Sequence, residues 1–410
     1  MLLKAVKLSL LLLFLAQSAF AQVYRIVGKV LDGKTNESIP FATVYIDKTM
    51  IGTSTSAAGE FSLDFSSANV AQSGVEMVIS CIGYESIIYQ PDLLNLDKKF
   101  VFKLLPKEEL LEEVEVSGVR DKLWYENLQF FKEQFLGRSE FGKQCEILNT
   151  DKLIISYYEQ EKVLKVKARE TLKIRNRSLG YEIDYLLDGF SHDSKTGITN
   201  YSGYTFFKEM KGGKAKQKKW QKNRQRAYYG SALHFLKSLY HHTLAENGFH
   251  LRRLKRIPNP NRPSKAEIIE ARKTLRLGNA SSLETTDKDR ETLRRARLPK
   301  LIEVLDTNAV DYSSYTKKVN DELVISFKDF FQVVYTGEKE EANYVALYSK
   351  QFSQLRKPSF QTSVISLRAA STKLNKYGMV SSPFDILYEG YWSWEKLGET
   401  LPLGYELPSE

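Results

Sequence analysis

Residues 26–65 read IVGKVLDGKTNESIPFATVYIDKTMIGTSTSAAGEFSLDF, and residues 75–84 read VEMVISCIGY. Short apolar or alternating runs follow one another here, separated by turn residues such as Asp32-Gly33. Several short strands at this spacing are typical of an antiparallel β-sandwich, so the pattern predicts a sandwich. We expect its strands at residues 25–31, 41–46, 60–65, 76–82 and 99–105.

The segment before this stretch has the three parts of a secretory signal. Lys4 and Lys7 form a positive start, residues 8–15 are apolar, and residues 19–21 (AFA) are a small-x-small cleavage site. The apolar run is shorter than the roughly 20 residues that cross a bilayer as a helix. We therefore predict a signal peptide over residues 1–21 and an exported protein, in the periplasm or associated with the outer membrane.

The charge balance bears on the class of partner. The chain has 60 Lys and Arg against 50 Asp and Glu, and cleavage would remove two lysines, lowering the formal net charge from +10 to +8. This modest excess favours contact with anionic surfaces but is far from a nucleic-acid signature, and export argues further against nucleic acid. We expect an envelope protein or an anionic glycan or lipid surface as the partner.

The two cysteines, Cys81 and Cys145, could form one disulfide in an oxidising compartment. Cys81, however, lies in the apolar run of residues 78–82, and a free cysteine is often buried as a small hydrophobe. Spacing alone cannot establish the geometry that a disulfide needs, so the pairing stays open, with free thiols favoured.

Motifs of the first stretch share the order and spacing of a known family. They are GKV (28–30), IPFATV (39–44), GTST (52–55), GEFSL (59–63) and IGY (82–84). Together they resemble the carboxypeptidase regulatory-like domain, a transthyretin-like β-sandwich abundant in exported proteins of Bacteroidetes-type bacteria. Ser56-Ala57 departs from the family, which often has an Asp there. The resemblance implies a non-catalytic domain, which we place at residues 22–105, with Gly59 and Gly83 at turns of positive φ.

In that family the domain also precedes TonB-dependent outer-membrane receptors. Residues 106–122 are interpreted as a linker, and about 290 residues follow it, too few for a plug and a 22-stranded barrel at roughly 10 residues per strand plus connections. The chain is therefore not expected to be such a receptor.

Residues 123–410 predict an α+β region. We expect helices at residues 123–136 and 231–247, a capping box at residues 264–267 that begins a helix to about 277, and a short helix or exposed loop at 289–298. We expect strands at 152–158, 163–168, 172–176, 181–190 paired with 203–209, 323–327, 331–335, 344–349, 363–367 and 386–392. Parts of residues 127–259 also resemble uncharacterised exported Bacteroidetes proteins, which implies no activity.

Familiar catalytic and metal-binding motifs are missing from the sequence. It has no HExxH, no GxSxG, no P-loop and no dinucleotide-binding glycine pattern. His242 and Glu246 stand four residues apart in the predicted helix, which would place both on one face, but they lack a third ligand. Four acidic residues could supply a carboxylate pair for glycoside hydrolysis, although solvated strand positions are favoured; they are Glu182, Asp184, Asp188 and Asp193. We predict no catalytic residue, metal or cofactor.

The strongest charge feature is residues 211–226, KGGKAKQKKWQKNRQR, in which eight of sixteen residues are Lys or Arg. We favour a solvated hairpin loop leading into the next helix. The functional alternative is contact with an anionic surface, such as lipopolysaccharide, phospholipid head groups or an acidic glycan. Its candidate residues are Lys214, Lys216, Lys218, Lys219, Lys222, Arg224 and Arg226. Arg224 and Arg226 could instead pair with carboxylates inside the fold.

Four aromatic residues cluster near the end of the chain: Tyr388, Tyr391, Trp392 and Trp394. They suit a carbohydrate-binding face or an ordinary β core, and the core is favoured. The sequence thus predicts a non-enzymatic binding or assembly protein of the cell envelope. The alternatives are an uncharacterised hydrolase of glycan or peptide and a small outer-membrane β-barrel.

Overall fold

A computed structural model describes residues 23–66, 75–107, 120–278, 287–306, 308–349 and 356–408. The predicted signal peptide lies outside the described residues, and so does most of the predicted linker. Within the described ranges, no helix has both the length and the apolar character needed to cross a membrane.

Residues 23–66 and 75–107 form two facing sheets. The strands are β1 (Val23–Asp32), β2 (Thr43–Ile46), β3 (Gly52–Ser54), β4 (Glu60–Ser66), β5 (Met77–Ser80), β6 (Ile87–Tyr89) and β7 (Phe100–Leu104). One sheet has the order β4-β1-β7 and the other the order β3-β2-β5-β6. All pairs are antiparallel except β1 and β7, which run parallel. The predicted mainly β fold with an N-terminal sandwich is confirmed.

The sandwich core lies between these two sheets. Its buried apolar side chains come from alternate positions of β1 and β4 on one side and from β2 and β5 on the other. They include Ile26, Val30, Phe61, Leu63, Val44, Ile46, Met77 and Ile79. Gly59 and Gly83 have φ of 73° and 85°, as the turn pattern predicted.

The next part of the chain is built around one long hairpin. The elements are α1 (Lys122–Phe135), β8 (Cys145–Ile147), β9 (Leu153–Tyr158), β10 (Val163–Ala168), β11 (Leu172–Asn176), β12 (Tyr181–Asp193) and β13 (Ile198–Glu209). The sheet runs β8-β11-β12-β10-β9, with β13 paired to β12 as predicted. The Asp121 side chain caps α1 by accepting from the Trp124 N–H, and Leu128, Phe131 and Phe135 bury one face of that helix against the sheet core.

Two helices follow the hairpin, α2 (Lys214–Tyr228) and α3 (Ala232–Tyr240). The prediction of a loop over the basic segment is therefore wrong, because Lys, Gln, Arg and Ala are good helix formers once the glycines at 212–213 are passed. Trp220, Arg224 and Ala227 lie on one face of α2 and are buried.

The helix predicted at residues 231–247 is shorter than expected, since α3 ends at Tyr240. His242 has φ of 59°, and its ring stacks on that of Tyr312 with 3.9 Å between the centroids. The chain turns out of the helix to make this contact, so His242 and Glu246 do not share a helix face, and that expectation is also wrong.

The last part of the chain is an α+β unit. Its helices are α4 (Lys265–Gly278), α5 (Asp287–Arg295), α6 (Ala342–Ser349) and α7 (Tyr391–Trp394). Its strands are β14 (Phe249–Pro258), β15 (Leu301–Leu305), β16 (Thr316–Val319), β17 (Glu322–Ile325), β18 (Phe330–Lys339), β19 (Phe360–Leu367), β20 (Thr372–Leu374) and β21 (Ile386–Gly390). They form a five-stranded sheet, β15-β14-β18-β19-β21, and a three-stranded sheet, β16-β17-β20.

Three details of this unit differ from the sequence predictions. Residues 344–349, expected as a strand, lie in α6, where the adjacent Tyr344 and Val345 are both buried, whereas neighbours in a strand point to opposite faces. The strand expected at 386–392 ends at Gly390, and α7 begins at the next residue, Tyr391. The strands β14, β15, β16 and β20 were not predicted.

The three parts meet at the turn between β2 and β3. The Lys48 N–H donates to the Thr205 carbonyl oxygen at 2.7 Å, and the Phe207 N–H donates to that of Thr49 at 3.0 Å. The C-terminal segment closes over the same turn, because the Leu403 N–H donates to the Lys48 carbonyl oxygen at 2.8 Å. The sandwich is therefore fastened to both other parts of the chain.

Candidate anion-binding surface

The basic helix α2 is anchored on the turn between β11 and β12. Trp220 Nε1 donates to the Arg177 carbonyl oxygen at 3.0 Å, and Asn223 Nδ2 donates to that of Ser178 at 2.7 Å. Arg224 Nε donates to the next carbonyl oxygen, that of Leu179, at 2.8 Å. Three side chains thus satisfy three consecutive carbonyl groups and fix the position of the helix.

Arg224 is buried and serves the fold. Its Nη1 lies 2.5 Å from Glu209 Oε1, and its guanidinium carbon lies 4.0 Å from the centroid of the Tyr181 ring. Arg226 bridges Glu140 and Glu341, at 2.8 and 3.1 Å. These are the carboxylate pairs that the sequence left open as an alternative for both arginines.

The other five candidate residues of the helix are exposed lysines: Lys214, Lys216, Lys218, Lys219 and Lys222. Among the residues that the structure describes, none of the five has a carboxylate within ion-pair distance. Lys214, Lys218 and Lys222 are spaced by four residues and so share one face, which we call the outer row. Their contact with an anionic surface stays a prediction.

The opposite face of the helix borders a groove of about 820 Å³ between α2 and the six-stranded sheet. We call it the basic groove. Its lining includes Trp220, two acidic residues and six basic ones, the basic residues being Arg175, Arg177, Lys208, Lys211, Lys216 and Lys219. Positive charge therefore lines the groove from the strands and from the helix.

Three of the six cations are already matched by carboxylates. Arg175 lies 3.2 Å from Glu182, Arg177 lies 2.7 Å from Glu146, and Lys208 lies 2.8 Å from Asp184. Lys211, Lys216 and Lys219 have no such match within the described ranges, so these three lysines carry the excess positive charge of the groove.

The acidic residues considered for glycoside hydrolysis have separate partners. Asp184 lies between Lys173 and Lys208, at 2.9 and 2.8 Å. Asp188 accepts a hydrogen bond from Ser202 Oγ at 2.8 Å, and Asp193 accepts one from the Lys195 N–H at 2.7 Å. Glu182, as described, pairs with Arg175. These contacts account for the four carboxylates as members of ion pairs and turns.

Among the histidines, His234 is buried and belongs to the fold. Burial lowers the pKa of His234 to about 4, so its ring is neutral at pH 7, and its Nδ1 accepts from the Gly230 N–H at 3.2 Å. Cys81 and Cys145 are free thiols. In the part of the chain that the structure describes, no three His, Cys, Asp or Glu residues are grouped so that they could hold a metal ion.

Three of the C-terminal aromatics belong to the core, as favoured from the sequence. Tyr391, Trp392 and Trp394 are buried. Trp392 Nε1 donates to the Gly230 carbonyl oxygen at 2.8 Å, and Trp394 Nε1 donates to Glu341 Oε2 at 3.2 Å. The indole N–H groups are thus satisfied inside the protein, as expected of aromatic residues in a core.

Comparison with known proteins adds one finding. A family model described as the CarboxypepD_reg-like domain matches residues 26–116, which cover the sandwich and extend beyond β7. No curated protein matches the chain. The motifs that suggested the domain in the sequence are therefore supported independently, and the match does not reach the basic helix.

Proposed function

We propose that this chain, which carries a CarboxypepD_reg-like domain at its N-terminal end, is a non-enzymatic binding protein of the cell envelope. Its ligand is an anionic glycan chain held in the basic groove. The observation that carries the proposal is the set of three lysines without an ion-pair partner among the described residues, Lys211, Lys216 and Lys219. They line one groove together with Arg175 and Arg177.

Geometry favours a polymer over a single small anion. Each exposed lysine contributes little alone, because a surface ion pair is worth about 0–1 kcal/mol in water. Acidic groups repeated along a glycan could contact several of the cations at once, and such contacts would be sensitive to salt. Because Trp220 and Arg224 hold α2 in place, the backbone that carries the lysines is already ordered before the ligand binds. Binding therefore does not include the entropy cost of ordering it.

The location in the envelope rests on the predicted signal peptide and on the family resemblance. A net positive chain exported to that compartment would meet acidic glycans and anionic lipids. The shape of the surface separates these two classes of ligand. A linear glycan fits a groove, whereas a flat membrane would contact the exposed outer row of Lys214, Lys218 and Lys222.

Two triple variants of the chain from residue 22 onward test the proposal. One replaces Lys211, Lys216 and Lys219 by Gln, and the other replaces the outer row by Gln, so both lose the same charge. Affinity for polygalacturonate, with neutral dextran as the control polymer, is measured by calorimetry at low salt and at about 150 mM salt. We expect the groove variant to bind about tenfold or more weakly and the outer-row variant to change much less.

Other outcomes would overturn the proposal. Equal losses in the two variants would show general charge attraction without a groove. Binding to anionic phospholipid vesicles but not to polygalacturonate, abolished in the outer-row variant, would assign a lipid surface instead. Shortening of the polymer during incubation, followed by size-exclusion chromatography, would favour the hydrolase alternative, which stays a prediction.

A further inference from the structure

A second cavity, of about 430 Å³, lies where the three parts of the chain meet. We call it the junction cavity. Lys48 from the sandwich, Tyr201 from β13 and Tyr388 from β21 line it, together with Glu395 and Lys396 from the C-terminal segment. Its volume falls within the roughly 300–1,000 Å³ typical of small-molecule sites, and such sites are common where domains meet. It is separate from the basic groove, with which it shares no lining residue.

Four polar groups of this lining have no partner among the residues that the structure describes. Among the described residues, the hydroxyls of Tyr201 and Tyr388, the carboxyl of Glu395 and the ammonium of Lys396 make no hydrogen bond or ion pair. By contrast, Ser231 Oγ in the same lining donates to the Tyr228 carbonyl oxygen at 2.7 Å. The four residues are half-buried, so water can reach these groups in the free protein, and a polar ligand in the cavity could take the place of that water.

The protonation states make the lining rich in donors. Burial raises the pKa of Tyr201 to about 12 and holds the pKa of Tyr388 above its usual range, so both hydroxyls keep their protons at pH 7. Burial also raises the pKa of Glu395, which favours the neutral carboxylic acid, a donor. Burial lowers the pKa of Lys396 to about 8, which leaves it mostly charged at pH 7.

Two further cations stand at the cavity. Arg368 makes one long hydrogen bond, from Nη1 to Asn200 Oδ1 at 3.4 Å, and Lys48 lies 3.1 Å from Asp47. The rest of the lining is largely apolar and includes Phe384, Leu387 and Trp392. An occupant therefore needs an acceptor-rich, negatively charged end and an apolar body.

We propose that the junction cavity binds a small organic carboxylate with a ring or a short aliphatic body. The carboxylate accepts hydrogen bonds from Lys396 and the two tyrosine hydroxyls, and the body packs against Phe384 and Leu387. Lys48 is already paired with Asp47, so Lys396 and Arg368 are the cations left for the ligand. They suit a ligand with one carboxylate, because each additional anionic group would need a partner of its own in a partly enclosed site.

The test uses the chain from residue 22 onward and three carboxylates, hexanoate, phenylacetate and glucuronate, each beside its neutral amide. Binding is measured by calorimetry and by the rise in Tm. We expect at least one carboxylate to bind at least about tenfold more tightly than its amide. Lys396→Met should remove that preference, and Tyr388→Phe should weaken carboxylate binding while leaving the fold intact.

Lys237→Met is the matched control, because Lys237 is also partly buried with a lowered pKa but does not line the cavity. It should leave the preference for carboxylates unchanged. Equal binding of acids and amides, or an unchanged preference in both Lys396→Met and Tyr388→Phe, overturns the proposal. So does the failure of all three acids to bind at about 10 mM. A lower Tm of Lys396→Met in the absence of ligand would indicate a folding defect. In that case the effect of Tyr388→Phe on carboxylate binding decides the proposal.

Discussion

Trp220 packs directly against the backbone of Gly180: a Cβ added at Gly180 would lie 2.2 Å from Cδ2 of the indole. Gly180 also has φ of 72°, a conformation that residues with a Cβ rarely adopt. One glycine thus permits both the turn between β11 and β12 and the docking of the basic helix on that turn.

Gly180→Ala should destabilise the protein more than Gly197→Ala. Gly197 also has φ of 72°, but a Cβ there would meet nothing within 4 Å, so its substitution isolates the backbone strain, about 1 kcal/mol. The clash with Trp220 should add about 1–3 kcal/mol to the loss at Gly180. Urea unfolding of both variants measures the difference. Equal losses would mean that the indole moves aside at little cost.

Arg224→Lys should cost more stability than Arg226→Lys. Lysine keeps the charge at position 224, but its single ammonium group cannot bind Glu209 and the Leu179 carbonyl oxygen at the same time. It also lacks the planar guanidinium group that stacks on the Tyr181 ring. We expect a loss of about 1–3 kcal/mol at Arg224 and less than about 1 kcal/mol at the more exposed Arg226. Unfolding free energies decide, and a larger loss at Arg226 would contradict the anchoring role assigned to Arg224.

Glu399 should make the protein less stable as pH rises from about 5 to 8. Burial raises the pKa of its carboxyl to about 8 in the folded chain, against 4.5 for the free group, and the Ser139 hydroxyl, Arg226, Glu140 and Glu341 face it. Between these values the folded state holds a proton that the unfolded state has released, so the free energy of unfolding falls as pH rises.

Glu399→Gln should reduce this decline, because glutamine is neutral at every pH. Chemical denaturation at pH 5, 6, 7 and 8 measures it. Glu291→Gln, which changes an exposed carboxylate paired with Arg294, is the control and should keep the decline. A wild-type decline unchanged in Glu399→Gln would rule out Glu399 as its source.

Carboxylate binding in the junction cavity should weaken as pH rises from 7 to 9. Lys396 loses its charge around pH 8, while Glu399, which also lines the cavity, gains a negative charge over the same range. The other charged or titratable groups of the lining are Lys48, Arg368, Glu395, Tyr201 and Tyr388, and His192 lies near enough to interact with Lys396. Calorimetric titrations at pH 7, 8 and 9 check this, and tighter binding at pH 9 would contradict it.

Alkylation should find two free thiols that react at different rates. Cys81 packs at the edge of the sandwich core and Cys145 at the edge of the six-stranded sheet core. Burial raises the pKa of both thiols, to about 12 for Cys145, and the thiolate is the reactive form, so Cys81 should react first. Iodoacetamide labelling followed by mass spectrometry measures both rates. Absence of label on the denatured, unreduced chain would show a disulfide.

Local patterns predicted elements well where the decisive interactions are local. The capping box is one case: the Ser264 N–H donates to Glu267 Oε2 at 2.8 Å, and the Glu267 N–H donates to Ser264 Oγ at 3.3 Å. Prediction failed where distant contacts decide. His242 lies outside the helix predicted for it and stacks on Tyr312. The sequence of α6 is a short apolar run, a pattern that is equally typical of a buried strand.

The candidate sites also divide into features that local sequence indicates and features that depend on distant contacts. The lysines of α2 could be found from composition alone, whereas the roles of Arg224 and Arg226 depend on Glu209 and Glu341, which only the fold brings near. The junction cavity had no local signal. Glu395 and Lys396 belong to no motif in the sequence, and they come together with Tyr201 and Tyr388 only because the C-terminal segment folds back beside β13 and β21.

The hydrogen bond from the Leu403 N–H to the Lys48 carbonyl oxygen joins a turn of the N-terminal sandwich to a residue near the other end of the described chain. Closing so long a loop carries a large entropy cost, so we expect this contact to form late, after its partners are ordered. Both residues line the junction cavity. The cavity is therefore complete only in the fully assembled molecule, and binding there would report that folding has finished from end to end.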